Sequence, residues 1–191
     1  MKINISDGAL NYFPQFIEWN EAKRIFDSLS QHLQLKQNDI KVFGKNYKTP
    51  RLEGFYSKNG ESYGYSGGKM IIQSFTPLLD SICQKIETYT GQEFNSVLVN
   101  LYRDGNDSNG WHSDDEKELG NEPRIASLSL GDSRNIKFKH KTKPEKHTQL
   151  MEHGSLLVMS GAIQKNWKHQ IPKTQVKKTA RINLTFRKII N

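Results

Sequence analysis

The sequence predicts an α+β fold in which N-terminal helices pack on an antiparallel β barrel or sandwich of about eight strands. Two segments before residue 92 repeat their apolar residues at helical spacing, and beyond it the period changes to two. The later runs are short, β-rich and separated by Gly, Asn, Asp and Pro clusters. In the first segment, Asn20 to Leu33, the apolar positions are Ala22, Ile25, Phe26, Leu29 and Leu33, and Asn20 is placed to cap the free N–H groups. In the second, Thr76 and Pro77 supply a cap and a first-turn proline, Leu78, Leu79, Ile82, Cys83 and Ile86 form the stripe, and Gly91 stops it. Strands are expected over Asn95 to Arg103, Ile125 to Leu130, Asn135 to His140, Gly154 to Met159 and Ala180 to Ile189. Between the helices, Val42 to Gly68 is rich in Gly, Tyr, Lys and Asn without a steady period, the pattern of hairpins and long surface loops.

A chain of 191 residues is the size of one domain, and its 35% hydrophobic and 10% aromatic content supports a folded core rather than a disordered chain. No apolar stretch approaches the ~20 residues of a helical membrane span. Met1 to Leu10 lacks a basic segment followed by an apolar one, so neither a span nor a secretion signal is expected. Cys83 is the single cysteine, which excludes an internal disulfide framework and a Cys-based zinc cluster and fits a reducing compartment. A metal would have to be held by His and carboxylate ligands. The net charge of +8 is uneven: Ser133 to Asn191 carries 14 basic and two acidic residues, Met1 to Asp132 14 basic and 18 acidic ones. Lys137, Lys139, Lys141, Lys143 and Lys146, with Lys165, Lys168, Lys173, Lys177 and Lys178, form either a phosphate-tracking surface or a solvated face that keeps the protein soluble. Charge alone leaves both open.

Gly110-Trp111-His112-Ser113-Asp114-Asp115-Glu116 puts His112 and Asp114 two apart, so that in extended backbone both side chains leave one face and can grip one ion. His169, in Trp167-Lys168-His169-Gln170-Ile171-Pro172, is the candidate third ligand, in a polar stretch between strands. Two imidazoles and a carboxylate on one side of an ion leave the opposite positions open, which suits a non-haem Fe(II) oxygenase. His-x-Asp alone is common, and a loop-ordering hydrogen-bonded pair beside a surface His169 is the competing explanation. Arg181 to Arg187 shifts the balance. It alternates strictly, with Ile182, Leu184 and Phe186 on one face and Arg181, Asn183, Thr185 and Arg187 on the other. With the apolar face against the helices, two guanidiniums point into the barrel, where burial demands an anionic partner. A short dicarboxylate such as 2-oxoglutarate suits them, because each Arg can hold a carboxylate through two parallel hydrogen bonds. An ordinary edge strand with a wet polar face is the alternative. Asn100 and Tyr102, two apart on their strand, repeat the polar-face pattern.

The chain resembles the AlkB-type Fe(II) and 2-oxoglutarate dependent dioxygenases, in particular the branch of the second and third animal AlkB homologues. The likeness lies in Asn100-Leu101-Tyr102-Arg103-Asp104-Gly105, His112-Ser113-Asp114-Asp115-Glu116, Ile125-Ala126-Ser127, Phe138-Lys139-His140-Lys141, His153-Gly154-Ser155-Leu156-Leu157 and Arg181 to Arg187. These occur in family order with family-like spacing and extend from about Val42 to Ile189. The resemblance implies one dioxygenase domain, 1–191, with a double-stranded β-helix (jelly-roll) core over about 95–190, N-terminal helices packed on one sheet, and nucleotide-recognition loops over about 42–68. It implies His112, Asp114 and His169 as the catalytic iron ligands, and Asn100, Tyr102, Arg181, Asn183, Thr185 and Arg187 as the contacts of 2-oxoglutarate.

On the substrate side, the resemblance makes Phe43, in Val42-Phe43-Gly44-Lys45, an aromatic wedge for the gap left by an extruded base; plain core packing would also explain a phenylalanine there. Tyr63, Tyr65 and Ser66 match a lid whose aromatics sandwich the flipped base, though hairpin aromatics are the simpler explanation. Asp115 and Glu116 are carboxylates that would favour a cationic, N-alkylated base, and Arg51 matches a polar loop contact. The implied function is repair of DNA, with RNA as an alternative substrate, by oxidative dealkylation of bases such as 1-methyladenine and 3-methylcytosine. Fe(II), 2-oxoglutarate and O2 would be used and formaldehyde, succinate and CO2 released. The expected partner is alkylated nucleic acid and no membrane, for a monomer inside the cell, cytoplasmic in a bacterium or nuclear in a eukaryote. The same residues also fit an RNA or protein demethylase or hydroxylase, and a catalytically silent nucleic-acid-binding module on the same scaffold. A zinc hydrolase would leave Arg181 and Arg187 without a reason.

Overall fold

In the computed structural model, which describes residues 1–42, 45–60, 64–65, 68–69 and 71–190, both expected helices form. The first, Trp19–His32, begins two residues earlier than a cap at Asn20 implies. Glu18, not Asn20, is its cap, accepting from the N–H groups of Asn20 and Glu21. A carboxylate there also meets the positive end of the helix dipole. The second, Pro77–Thr90, starts as predicted: the Thr76 hydroxyl accepts from Leu79 N–H, and Pro77 takes a first-turn position where its missing N–H costs nothing. Gly91 closes this helix in the left-handed conformation at φ 65°.

Eight strands form one sheet in the order Lys2–Ile3, Ala9–Phe13, Ser155–Ser160, Ile125–Gly131, Arg181–Arg187, Ser96–Tyr102, Leu52–Ser57, Ile72–Ser74. Its pairs are antiparallel except the last, which is parallel. Asn109–His112, Trp167–Ile171, Arg134–His140 and Lys146–Met151 form a second, antiparallel sheet. Two-stranded ribbons, Asp39–Val42 with Lys45–Lys48 and Gly64–Tyr65 with Gly68–Lys69, occupy the region read as hairpins. The strands outnumber the eight expected because several hide their periodicity. In Trp167–Ile171 the inward residues are Trp167, His169 and Ile171, so the histidine makes a strand look like a polar connection. His169 thus sits within a strand rather than between strands.

Arg181–Arg187 occupies the middle of the large sheet, between Ile125–Gly131 and Ser96–Tyr102, and all of its residues are buried. Ile182, Leu184 and Phe186 join Ile25, Leu29, Leu79, Ile82 and Ile86 of the helices in one apolar core. The opposite face looks toward the second sheet. There Ile125, Leu157 and Met159 of the large sheet meet Ile136, Phe138, Trp167 and Ile171, all from the small one, in a second apolar cluster. The layers are therefore helices, large sheet and small sheet, and the polar side chains of the central strand are enclosed in the gap between the sheets. Among the described residues no helix is long and apolar enough to cross a membrane.

This layering makes the apolar face of the central strand the main stabilising contact. Leu184→Ala is expected to lower the unfolding free energy by about 2–5 kcal/mol in urea titration. Leu150→Ala, at a side chain 43% exposed, should change it by no more than about 0.5 kcal/mol.

Candidate active site

The register of the small sheet brings two histidines together. His112, the last residue of its strand, pairs directly with His169, and the ring centroids lie 4.2 Å apart. Asp114, two residues further, turns to the same side and is 1% exposed. One ligand atom from each of His112, Asp114 and His169 lies within 4.8 Å of the others, and each carboxylate oxygen is 3.8 Å from one histidine Nε2. The His112 Nδ1–H donates to Gly110 O at 2.8 Å, which leaves the Nε2 lone pair on the side of Asp114. Asp114 Oδ2 is buried and accepts no hydrogen bond among the described residues. A buried carboxylate oxygen without a donor is costly unless a cation meets it.

The electrostatics suit a metal as well. Burial, reinforced by His112, pushes the His169 imidazole down to about 3, and burial lowers His112 too, so both rings are neutral ligands at neutral pH. Burial alone would raise the Asp114 carboxyl, but Arg187, His169 and His112 together outweigh it and hold it at about 2. Two neutral imidazoles and one carboxylate are the donor set of a facial non-haem iron site, and Fe(II) fits these residues.

The trio lines a small polar cavity together with Asn100, Tyr102 and the whole polar face of the central strand, Arg181, Asn183, Thr185 and Arg187. Arg187 stands at the metal end, its Nη2 donating to Asp114 Oδ1 at 2.9 Å. Arg181 is 1% exposed, donates from Nε to Ser129 Oγ at 2.9 Å and from Nη2 to Asn183 Oδ1 at 2.7 Å, and lies 5.3 Å over the Tyr102 ring. Its Nη1 is buried with no hydrogen-bond partner among the described residues. Burial lowers this guanidinium to about 10, which leaves it a cation at neutral pH. A buried cation with an unused donor is a receptor for an anion, and a carboxylate fits it. Asn183 bonds within the face, accepting from Ser127 Oγ at 3.0 Å and donating to Thr185 Oγ1 at 2.8 Å, so it orients Arg181 and Thr185.

Arg51 stands in the bend just before the strand Leu52–Ser57, and its side chain is enclosed rather than exposed. It is 3% exposed and donates from Nε to Asn100 Oδ1 at 2.8 Å and from Nη1 to Ser108 O at 3.1 Å, while Nη2 pairs with Glu53 at 2.5 Å. With Asn100 Oδ1 held this way, the Asn100 N–H donors are left for the cavity. Thr49-Pro50-Arg51 reads as a loop, but Arg51 enters directly into the buried strand Leu52–Ser57. Asp115 is exposed and pairs with Lys141 at 3.2 Å. Glu116 is half-buried and its carbonyl closes the turn Lys117–Leu119. Tyr65 lies in the Gly64–Tyr65 strand, whereas Phe43, Tyr63 and Ser66 lie outside the described residues. Sequence reasoning missed Ser127, Ser129 and Asn109. The two serines alternate with Ala126, Leu128 and Leu130, the same period-two signal that exposed Arg181 to Arg187. Asn109 lines the cavity and approaches His112 Nε2 at 3.4 Å, and no local pattern marks it.

The family model described as the 2OG-Fe(II) oxygenase superfamily matches residues 9–187. Alpha-ketoglutarate-dependent dioxygenase alkB homolog 3 of Homo sapiens is 38% identical over 187 residues, which cover 93% of this chain and 65% of that protein. The chain thus spans just under two thirds of that relative's length. DNA oxidative demethylase ALKBH2 of Homo sapiens is 36% identical over 181 residues, covering 89% of this chain and 69% of that protein. In fold the chain is similar to OsALKBH1, with a TM-score of 0.67 over 94% of this chain and 97% of that one at 14% identity. It is similar also to a 2OG-Fe(II) oxygenase family oxidoreductase from Burkholderia pseudomallei, with a TM-score of 0.60 over 93% and 84% at 13% identity.

A trio that holds a divalent ion should couple it to stability. Mn(II) at about 100 times its dissociation constant is expected to stabilise the protein by about 2.7 kcal/mol, a rise in Tm of roughly 5–10 °C by calorimetry. His169→Ala and Asp114→Ala should each remove that rise.

Proposed function

The chain belongs to the 2OG-Fe(II) oxygenase superfamily and within it to the AlkB family, and from this we propose that it repairs alkylated DNA by oxidative dealkylation of N-alkylated bases of the 1-methyladenine and 3-methylcytosine type. One observation carries the proposal: a single cavity contains both a two-histidine, one-carboxylate trio and a buried guanidinium with an unused donor. His112, Asp114 and His169 would hold Fe(II). Arg181 would receive one carboxylate of 2-oxoglutarate, and Arg187, already bonded to Asp114, would balance charge at the metal end. Asn100, Tyr102, Asn183 and Thr185 would complete the cosubstrate's wall. Fe(II), 2-oxoglutarate and O2 together supply an oxidation of the N-alkyl carbon, after which a methyl group leaves as formaldehyde, with succinate and CO2 as the other products.

The chain's own contribution is placement. Its neutral imidazoles and its single carboxylate, held ionised by Arg187, give a ligand set of one negative charge. Burial of Asp114 and His169 limits the access of bulk water to the reacting atoms, and the sheet face fixes the cosubstrate's orientation. ALKBH2, a DNA oxidative demethylase by name, supports a DNA substrate. So does the basic C-terminal third, where Lys137, Lys146 and Lys168 are exposed on the small sheet. Phe43 as the wedge, Tyr63, Tyr65 and Ser66 as the lid, and Asp115 and Glu116 as selectors of a cationic base belong to the same proposal.

A 1-methyladenine oligonucleotide incubated aerobically with Fe(II) is expected to release formaldehyde only when 2-oxoglutarate is present, and His112→Ala should reduce release to background. Release independent of 2-oxoglutarate would contradict the proposal. Arg181→Met is expected to raise KM for 2-oxoglutarate by about ten-fold or more while leaving that for the oligonucleotide nearly unchanged. Phe43→Ala should lower turnover of duplexes more than of single strands, and equal losses would remove the wedge assignment.

A further inference from the structure

We infer that Gln164 is a positioning residue of the metal site: its buried carboxamide holds the Asp114 backbone so that the carboxylate is presented beside His112 and His169. This extends the reading of those three side chains as metal ligands and depends on it. The strand Asn109–His112 ends before Asp114, so ladder hydrogen bonds no longer fix the backbone there. Its place is taken by one short stretch of chain. Ser113 Oγ donates to Trp167 O at 2.9 Å, and Asp114 N–H donates to Gln164 Oε1 at 3.0 Å. Gln164 belongs to the helix Ile163–Asn166, which runs directly into the strand that carries His169. The same stretch therefore sets the position of two proposed ligands.

Gln164 is 1% exposed, and a buried carboxamide is costly unless its polar atoms find partners. Oε1 receives the Asp114 N–H, and Nε2 faces Met159 Sδ at 3.5 Å. A methionine of similar length would fill this place without that cost, so the amide is accounted for by the N–H it accepts. Lys141 adds a second tie, donating to Gln164 O at 3.0 Å and to Asp115 Oδ2 at 3.2 Å. Asp114 is thereby fixed at two points, its N–H by Gln164 and its Oδ1 by Arg187, and Oδ2 is the oxygen left over. Partners that orient a metal ligand contribute about 10–100-fold to affinity.

The test is a titration of the metal-free protein with Co(II), followed by its absorption, for wild type, Q164M and Q164E. Q164M deletes the acceptor and keeps the length; Q164E keeps an acceptor oxygen in either protonation state. Q164M is expected to weaken Co(II) binding about 10–100-fold, and Q164E to stay within about threefold of wild type. In the wild-type metal-free protein, the Asp114 amide should be protected from hydrogen–deuterium exchange although it lies beyond the strand ladder. Q164M binding Co(II) as tightly as wild type, or both variants weakening equally, would overturn the assignment alone. Rapid exchange at the Asp114 amide would overturn it whatever the variants' folding. A wild-type protein that takes up no Co(II) would overturn the metal reading together with it.

Discussion

The buried ion pair between Arg187 and Asp114 joins the fold to the chemistry. It connects the central strand of the large sheet to the segment that leaves the edge of the small one, at 2.9 Å and with both side chains almost fully enclosed. Such a pair adds little net stability, because desolvation of both ions offsets their attraction. Its consequence is directional: one carboxylate oxygen is occupied, the acid is kept ionised, and the other oxygen lies 3.8 Å from His169 Nε2 with no donor among the described residues. At the far end of the strand, Arg181 has a buried guanidinium that forms no ion pair among the described residues. A divalent ion would add still more positive charge to this gap. A dianionic cosubstrate would lower the electrostatic cost of the loaded site, which couples metal and diacid into one system.

The parts legible in the sequence were those governed by local periodicity. Arg181 to Arg187 alternates without exception because it is the centre of a sheet with an apolar core on one side and a polar cavity on the other. His112 and Asp114 were legible by spacing, and Thr76, Pro77 and Gly91 by capping chemistry. Where a buried position carries a polar residue for functional reasons, the pattern misleads. His169 occupies an inward strand position that an apolar residue would have announced. Arg51 is held by Asn100 and Ser108, about 50 residues on, as well as by neighbouring Glu53, and the distant partners leave no local mark that distinguishes it from a solvated loop arginine. Gln164 lies in a helix of four residues, too short for any period, and its partner Asp114 stands 50 residues earlier in the chain.

This division follows the roles of the two halves of the site. The proposed metal and cosubstrate residues stand on or directly beside strands of two packed sheets, where register fixes them to within a fraction of a residue. The proposed base-recognition residues belong mainly to the connections between the helices, where lesion preference can vary without disturbing the metal ligands.

The central claim is that one cavity binds a metal ion and a dicarboxylate in mutual dependence. Anaerobic calorimetric titration of 2-oxoglutarate into the Mn(II)-loaded protein tests it most directly. One site per chain, with affinity that falls sharply when Mn(II) is withheld or Asp114 is replaced by alanine, is the expected result. Binding of equal strength with and without the metal, or unaffected by loss of Asp114, would contradict it.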